Sequence, residues 1–157
     1  MIRLGVISDS HQNQLWTERF LNLANRERYD AVFFLGDGET EARWLRRRLN
    51  MPLHFVAGNC DMFSKAPREI VEAFEGLRVM AVHGHLYDVK WELDRLSYAA
   101  EAQGAMVALY GHTHIPAVEY VGPVLTMNPG ALTRGCYGEL TIDGKTATPL
   151  LKRLTEK

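Results

Sequence analysis

Histidine, aspartate and asparagine recur in five short loops of the sequence, each at the end of an apolar run. The most suggestive loop is Gly111-His112-Thr113-His114, which follows the run 107–110, and such a run is typical of a buried strand. Neutral imidazole is the commonest metal ligand in proteins. At the exit of a strand, we expect the two histidines to turn toward different targets. A single His-x-His pair is weak evidence, so its meaning depends on the other four loops.

The other four loops carry the same kinds of side chain, and three of the five contain glycine, which lets the backbone turn tightly or approach a ligand. They are Asp9-Ser10-His11, Gly36-Asp37, Gly58-Asn59 and His83. Together, two aspartates, one asparagine and four histidines suit Mn²⁺, Fe or Zn²⁺ better than Ca²⁺ or Mg²⁺, which prefer oxygen alone. Seven ligands are too many for one tetrahedral ion, and they suit two ions that share one carboxylate.

The order of apolar runs predicts how the chain brings these loops together. Runs at 2–8, 31–35 and 52–56 predict three buried strands, and helical patterns at 14–26 and about 40–49 lie between them. This alternation favours parallel β-α-β units. In such sheets, ligands bind beyond the carboxyl ends of the strands, which is where the polar loops lie.

The second half of the sequence predicts mainly strands. Runs at 69–74 and 77–82 indicate a hairpin, and they precede a helix over about 89–103 and a strand over 105–110. Four more extended runs follow, with a hairpin turn expected at Asp143-Gly144. They lie at 117–121, 124–127, 137–142 and 146–151. We therefore expect an α/β (α+β) fold of paired sheets flanked by helices, in a single domain.

Composition and charge argue against several classes of protein. The chain has 157 residues, 46% of them hydrophobic and 24% charged, which is typical of a globular domain. A net charge of −1 provides no basic field for nucleic acid. We expect no membrane span and no signal peptide, because the apolar runs are short and the N-terminus reads as a strand. Cys60 and Cys136 are then expected to be free thiols in the cytoplasm.

The order of the five loops resembles the calcineurin-like metallophosphoesterase superfamily. The matching motifs are Asp-x-His at 9–11, Gly-Asp at 36–37, Gly-Asn-x-Asp at 58–61, His83 and Gly-His-x-His at 111–114. The short chain, its Gly58-Asn59-Cys60-Asp61 and its Asn128-Pro129-Gly130 are similar to the small YfcE-like phosphodiesterase branch. This resemblance implies a β-sandwich of two sheets flanked by helices, with a dinuclear metal site at the strand ends.

The resemblance also implies a role for each candidate ligand. Asp37 would bridge two metal ions, the first bound by Asp9, His11 and His114 and the second by Asn59, His83 and His112. We expect Mn²⁺, with Ni²⁺, Zn²⁺ or Fe²⁺ as alternatives. Two such ions about 3.5–4 Å apart lower the pKa of a bridging water, and the hydroxide attacks phosphorus in line. The implied activity is hydrolysis of a small phosphodiester.

The sequence departs from the family pattern at Cys60, where many members have a histidine that can protonate the leaving group. A thiol is a poorer donor to an alkoxide, and it cannot act as a cation. His85 could instead supply a proton or a hydrogen bond to phosphate. Asp61 matches a family acid that is expected to orient a neighbouring group. Catalytic roles for these three residues are therefore hypotheses.

Other interpretations stay open at this point. Taken singly, Asp9, Asp37 and Asn59 could be helix caps or turn residues, whereas the ordered set with four histidines favours metal binding. The chain could also be a protein-interaction scaffold with little or no catalysis, as in the eukaryotic retromer subunit that resembles this branch. A phosphomonoesterase or nuclease is a third possibility, although the net charge argues against long nucleic acids. An exposed strand near the C-terminus could pair between copies in a homo-oligomer.

Overall fold

The computed structural model describes residues 1–155, and the predicted β-α-β units form one half of it. Strands β1 (Ile2–Ile7), β2 (Ala31–Phe34) and β3 (Leu53–Phe55) run parallel, as expected for short apolar runs that are buried on both faces. Helices α1 (Gln14–Glu27) and α2 (Glu39–Arg46) connect them. The side chain of Asn13 caps α1 by accepting from the Trp16 amide.

The other half of the described chain is a second five-stranded sheet. It begins with the predicted hairpin of β4 (Glu69–Phe74) and β5 (Leu77–Val82). Strand β6 (Ala105–Leu109) lies parallel to β5, and β7 (Ala117–Val121) and β8 (Val124–Asn128) complete the order β4-β5-β6-β8-β7. The sheet is mixed, because β8 is parallel to β6 and antiparallel to β7.

The last two strands return to the first sheet. Strands β9 (Cys136–Asp143) and β10 (Thr146–Arg153) form a hairpin beside β1, giving the order β10-β9-β1-β2-β3. The hairpin turns where Asp143-Gly144 was predicted, with Gly144 at φ +61°. The two sheets confirm the predicted α/β fold, and β10 is an edge strand of the first sheet.

Helix α3 (Asp94–Ala102) begins five residues later than the sequence pattern indicates. Asp88 adopts a left-handed conformation at φ +53°, and its carbonyl accepts from the amides of both Trp91 and Glu92. The chain therefore turns here before the helix begins, although Val89 still packs beneath it. Within residues 1–155, no helix is long and apolar enough to cross a membrane.

The main apolar core lies between the two sheets and fixes their relative position. It contains Leu4 and Phe33 from the first sheet and Val79, Leu109 and Met127 from the second, all fully buried. Smaller clusters lie under α1 and α2 and under α3. Because the core holds the sheets face to face, the ends of β1, β2, β5 and β6 meet at one edge.

Candidate metal centre

Three candidate ligands converge where β1 and β6 end. The carboxylate Oδ1 of Asp9 is 3.4 Å from the Nε2 of His11 and 3.2 Å from the Nε2 of His114. The two imidazole nitrogens are 3.2 Å apart. These three atoms surround one point, so a single cation could bind all of them.

A second group of ligands meets where β2, β5 and β6 end. The Nε2 of His83 is 3.2 Å from the Nδ1 of His112 and 3.2 Å from the Oδ2 of Asp37. The same Asp37 oxygen is 3.7 Å from the Nε2 of His11, which belongs to the first group. Asp37 thus lies between the two groups, where a bridging carboxylate would lie. As expected at a strand exit, His112 and His114 turn toward different groups.

Asn59 is less closely joined to these groups than the other six residues. Its side chain is exposed, and its Nδ2 lies 3.7 Å from the Sγ of Cys60. Within residues 1–155 this amide makes no contact with another candidate ligand. Its loop is nevertheless held at the site, because the Cys60 amide donates a hydrogen bond of 2.8 Å to the Oδ1 of Asp37.

The surroundings of Asp9 fit a metal cation. Its Oδ2 accepts hydrogen bonds from the Ser8 hydroxyl at 2.5 Å and from the His112 amide at 3.1 Å. Its Oδ1 is buried and has no hydrogen-bond partner among residues 1–155. Burying a carboxylate oxygen without a partner is costly unless a cation satisfies it. The site therefore holds one oxygen of Asp9 in place and leaves the other free for a metal.

The backbone at the site is strained where the ligands are attached. Five of the seven candidate ligands have positive φ, between 42° and 71°. They are Asp9, His11, Asp37, His112 and His114. Residues other than glycine seldom adopt this conformation, and it persists where the surrounding structure enforces it, which is often at functional sites.

Two glycines allow the ligand loops to approach each other closely. A Cβ atom on Gly58 would lie 2.2 Å from the Oδ1 of Asp37. On Gly111 it would lie 2.1 Å from the Oγ of Ser8 and 2.8 Å from the Oδ2 of Asp9. Any side chain at either position would therefore displace a candidate ligand or the group that orients it.

Asp61 ties two ligand loops together. Its carboxylate accepts backbone N–H groups at 2.7–3.1 Å from residues on the loop after β2 and the loop after β3. The donors are Asp37, Gly38, Glu39 and Gly58. These bonds occupy both oxygens of Asp61, so the geometry fits the hypothesis that Asp61 orients a neighbour.

The charges of Asp37 and His83 shift each other's pKa. Burial tends to raise the pKa of Asp37, but the hydrogen bond and charge of His83, with the Cys60 amide, bring it well below its usual range. Burial tends to lower the pKa of His83, but the carboxylates of Asp37 and Asp9 raise it overall. The site is therefore strongly attractive to positive charge.

The candidate proton donors differ in their electrostatic surroundings. Burial, followed by the charges of His83 and Arg68, lowers the pKa of His85. Burial and the carboxylate of Asp37 raise the pKa of the Cys60 thiol, which therefore keeps its proton at neutral pH. Burial, His83 and Lys90 together lower the pKa of His112 to about 4, so this imidazole is neutral and able to bind a metal.

Some supporting groups were not predicted from the sequence. The buried carboxylate of Glu41 accepts from the Ser10 hydroxyl and the Gln12 amide, and it thereby holds the loop after β1. The Ser8 hydroxyl holds Asp9 in the same way. Glu41 lies in a helix and Ser8 ends a strand run, and neither belongs to a motif that would have drawn attention to it.

The fold and the site together define a metallophosphoesterase-type protein: two packed sheets with seven Asp, Asn and His residues on the loops at one edge. The family model for the calcineurin-like phosphoesterase superfamily domain matches residues 2–143. The chain therefore belongs to this superfamily, which confirms the resemblance drawn from its motifs.

Several proteins are similar to this chain over most of its length. The probable metallophosphoesterase YsnB of Bacillus subtilis is 31% identical, covering 91% of this chain and 86% of its own. The phosphodiesterase YfcE of Escherichia coli K12 is 30% identical, covering 85% and 80%. The structure of a predicted phosphoesterase from Streptococcus pneumoniae has a TM-score of 0.83 and 28% identity, covering 97% and 89%.

The fold is also shared with a more distant protein. Zinc-complexed Vps29 from Entamoeba histolytica has a TM-score of 0.76 and covers 99% of this chain and 100% of its own. Its identity of 20% shows a common fold and nothing more.

Proposed function

We propose that this protein is a metal-dependent phosphodiesterase that hydrolyses small phosphodiesters. The observation that carries the proposal is the position of Asp37, whose Oδ2 lies 3.7 Å from His11 and 3.2 Å from His83. A carboxylate that lies between two groups of imidazoles fits two neighbouring cations that share it. The family membership and the phosphodiesterase YfcE, 30% identical, support the same activity.

The chain's own residues would hold two divalent ions, for which we expect Mn²⁺, with Ni²⁺, Zn²⁺ or Fe²⁺ as alternatives. The first ion would be held by Asp9, His11 and His114, the second by Asn59, His83 and His112, and both by Asp37. Such ions, when bound, activate a water molecule and neutralise the charge that develops on the phosphoryl oxygens.

The remaining residues would position ligands or supply a proton. Asp61 keeps the loops of Asp37 and Asn59 together through four backbone N–H groups. The Cys60 thiol stays protonated beside Asp37, so it can donate to a leaving oxygen. His85 has a lowered pKa, which makes its cationic form scarce at neutral pH. We therefore assign proton donation to Cys60 ahead of His85.

The test combines metal content with hydrolysis of bis(4-nitrophenyl) phosphate and of 4-nitrophenyl phosphate during a metal titration. About two ions per chain and preferential turnover of the diester are expected. Asp37→Asn removes the shared charge and should reduce diester hydrolysis by at least about a thousandfold, a loss on the scale of removing a principal charge-stabilising group. Asp143→Asn, at the exposed β9–β10 turn, is the matched control and should retain full activity.

Two results would contradict this proposal. Diester hydrolysis that survives both a strong chelator and Asp37→Asn would show that the clustered ligands do not carry the reaction. Preferential hydrolysis of the monoester would instead identify a phosphomonoesterase at the same site. We expect activity to return when metal is added back to the chelated wild-type protein.

A protein-interaction scaffold is the second candidate function. Large apolar side chains are exposed beside the site, where Phe63 is 94% and Met62 74% accessible, and the fold is shared with Vps29. The buried and unpartnered Oδ1 of Asp9 argues for metal binding rather than an idle site. Capture of a partner by a protein that turns over no ester with any of the four metals would favour the scaffold.

A further inference from the structure

Two cavities flank the candidate metal centre, and they differ in charge. The first, about 460 Å³, has several acidic groups in its wall, and its one arginine, Arg43, is bonded to Glu39 at 2.5 Å. The second, about 540 Å³, includes the candidate ligand His83, together with His85, Arg68 and Tyr87. The two sides of the site therefore offer different environments to the two ends of a substrate.

Arg68, in the second cavity, lacks the neutralising partner that a surface arginine often has. Its guanidinium lies 3.5 Å from the Nε2 of His85 and contacts no carboxylate within residues 1–155. Its neighbour Glu69 lies in the same cavity wall, but its carboxylate is directed to the Tyr87 hydroxyl and the Gln103 amide. Arg68 is thus an exposed guanidinium without an ion-pair partner beside the metal centre.

The ring of His85 lies between Arg68 and the second group of candidate ligands. It is 5.4 Å from the ring of His83 and 6.1 Å from that of His112, between centroids. Arg68 therefore lies one imidazole ring beyond the second group of candidate ligands.

We propose that Arg68 binds a second anionic group on the phosphodiester substrate. A guanidinium is well suited to this, because its planar fork binds phosphate or carboxylate through paired hydrogen bonds. The ring of His85 separates the Arg68 guanidinium from the metal ligands. The guanidinium would therefore contact a neighbouring group of the substrate rather than the phosphate undergoing hydrolysis. The inference rests on the proposed phosphodiesterase function and narrows its substrate to diesters with a terminal phosphate or a carboxylate.

The test compares two substrates that share the same scissile bond. They are thymidine 5′-(4-nitrophenyl phosphate) and the same compound with a phosphate on its 3′ oxygen, and in both, water cleaves the ester and 4-nitrophenolate leaves. The wild-type protein is expected to show a kcat/KM at least about tenfold higher for the 3′-phosphorylated substrate, mainly through a lower KM. Added salt should reduce this advantage, because it screens exposed charges.

Substitutions then assign the advantage to particular side chains. Arg68→Gln should reduce the ratio of the two kcat/KM values to less than about two. Arg68→Lys should retain only part of the ratio, because lysine keeps the charge but lacks the planar fork. Arg47→Gln is the matched control, because Arg47 is an exposed arginine at the end of α2 farthest from the ligands. The ratio should be unchanged in that variant.

A binding measurement keeps the inference separate from turnover. Metal-loaded protein is titrated calorimetrically with thymidine 3′,5′-bisphosphate and with thymidine 5′-monophosphate. An Arg68-dependent preference for the bisphosphate would support the subsite even if neither diester were hydrolysed, in which case only the proposed function would fail. Equal affinity for the two nucleotides, or the same loss in Arg68→Gln and Arg47→Gln, would overturn the inference.

Discussion

The ligand loops and the tips of the β4–β5 and β9–β10 hairpins both contain left-handed backbone, but for different reasons. At the hairpin tips, Gly76 and Gly144 have positive φ and face open space, since nothing lies within 4 Å of an added Cβ. At the site, the left-handed residues are aspartates and histidines, held between closely packed loops. At the tips, glycine adopts the left-handed backbone of a turn without strain, whereas the left-handed aspartates and histidines aim their side chains at a common point.

This difference indicates that the site is organised at some expense of stability. The ligand loops bring a buried, unpartnered carboxylate oxygen and four imidazoles together, although such groups are costly to desolvate. The hairpin tips carry no such charges. Substitutions in the two regions should therefore separate effects on metal binding from effects on folding.

Asp9→Asn should have the largest effect on metal binding and little effect on the stability of the metal-free protein. The substitution removes a charge whose Oδ1 has no partner, while Ser8 and the His112 amide can still hold the other side of the group. We expect metal affinity to fall by more than about a hundredfold, because Asp9 is itself a ligand and changes to groups that only orient a ligand already cost about 10–100-fold. Calorimetric titration with Mn²⁺ measures the affinity.

Urea unfolding of the metal-free proteins measures how Asp9→Asn changes stability. The free energy of unfolding of Asp9→Asn should equal that of the wild type within about 0.5 kcal/mol, or exceed it, because a typical substitution costs more than this only where it removes a native interaction. A large destabilisation without metal would mean that Asp9 is mainly a structural residue.

Gly111→Ala should disturb the site through close packing alone. The added Cβ would lie 2.1 Å from the Oγ of Ser8 and 2.8 Å from the Oδ2 of Asp9, so one of them must move. Overpacking of this kind costs about 1–3 kcal/mol in unfolding free energy. We expect metal affinity to fall by about tenfold as well, because Asp9 loses its orientation.

Gly144→Ala provides the matched comparison at a hairpin tip. Gly144 has φ +61° and open space around it, so alanine adds backbone strain of about 1 kcal/mol without a collision. Its metal affinity should equal that of the wild type. Equal losses of metal affinity in both alanine variants would show that the close approach at Gly111 does not hold Asp9.

Much of this geometry could be predicted from the sequence because it follows from strand order. Residues that follow the parallel strands must meet at one edge of the sheets, and six of the seven candidate ligands there lie within 4 Å of another one. The late start of α3 could not be predicted, since the apolar spacing of Val89 and Leu93 is helical, whereas the chain makes a separate turn from Asp88 before the helix begins. The free charge of Arg68 also depends on tertiary contacts, because Glu69 is taken by residues distant in sequence.

Asp61→Asn should weaken the connection between two ligand loops. The amide keeps one oxygen, but its NH₂ group would face backbone N–H donors that now bond to the carboxylate. Leaving buried donors without a partner costs about 1–3 kcal/mol for each group, so we expect the unfolding free energy to fall by about 2 kcal/mol or more. Metal affinity should fall severalfold.

Asp30→Asn is the control for that substitution. Asp30 is exposed and accepts one backbone N–H group, from Arg3 at 2.8 Å, so its loss should cost less than about 1 kcal/mol. Urea unfolding and Mn²⁺ titration of both variants measure the difference. If the two variants behave alike, the four bonds to Asp61 do not organise the site.

Cys60→Ala should have the smallest effect, and one that depends on the leaving group. The thiol keeps its proton at neutral pH, because burial and the carboxylate of Asp37 raise its pKa. Nitrophenolate leaves readily without a proton, so hydrolysis of bis(4-nitrophenyl) phosphate should change by less than about threefold. Phenolate is a poorer leaving group, and hydrolysis of diphenyl phosphate should fall by about tenfold, a modest value for general acid catalysis.

The conservative variant distinguishes proton donation from packing at this position. Cys60→Ser keeps a side chain of similar size but replaces the thiol by a much weaker acid. If the thiol donates a proton, Cys60→Ser and Cys60→Ala should both lower the rate with diphenyl phosphate relative to the rate with bis(4-nitrophenyl) phosphate. Equal losses on both substrates in Cys60→Ala would mean that the thiol only fills space at the site. Cys60→His would then test whether a stronger proton donor on this ligand loop increases turnover of diphenyl phosphate. A histidine at a hairpin tip, which lies away from the ligands, should not increase that turnover.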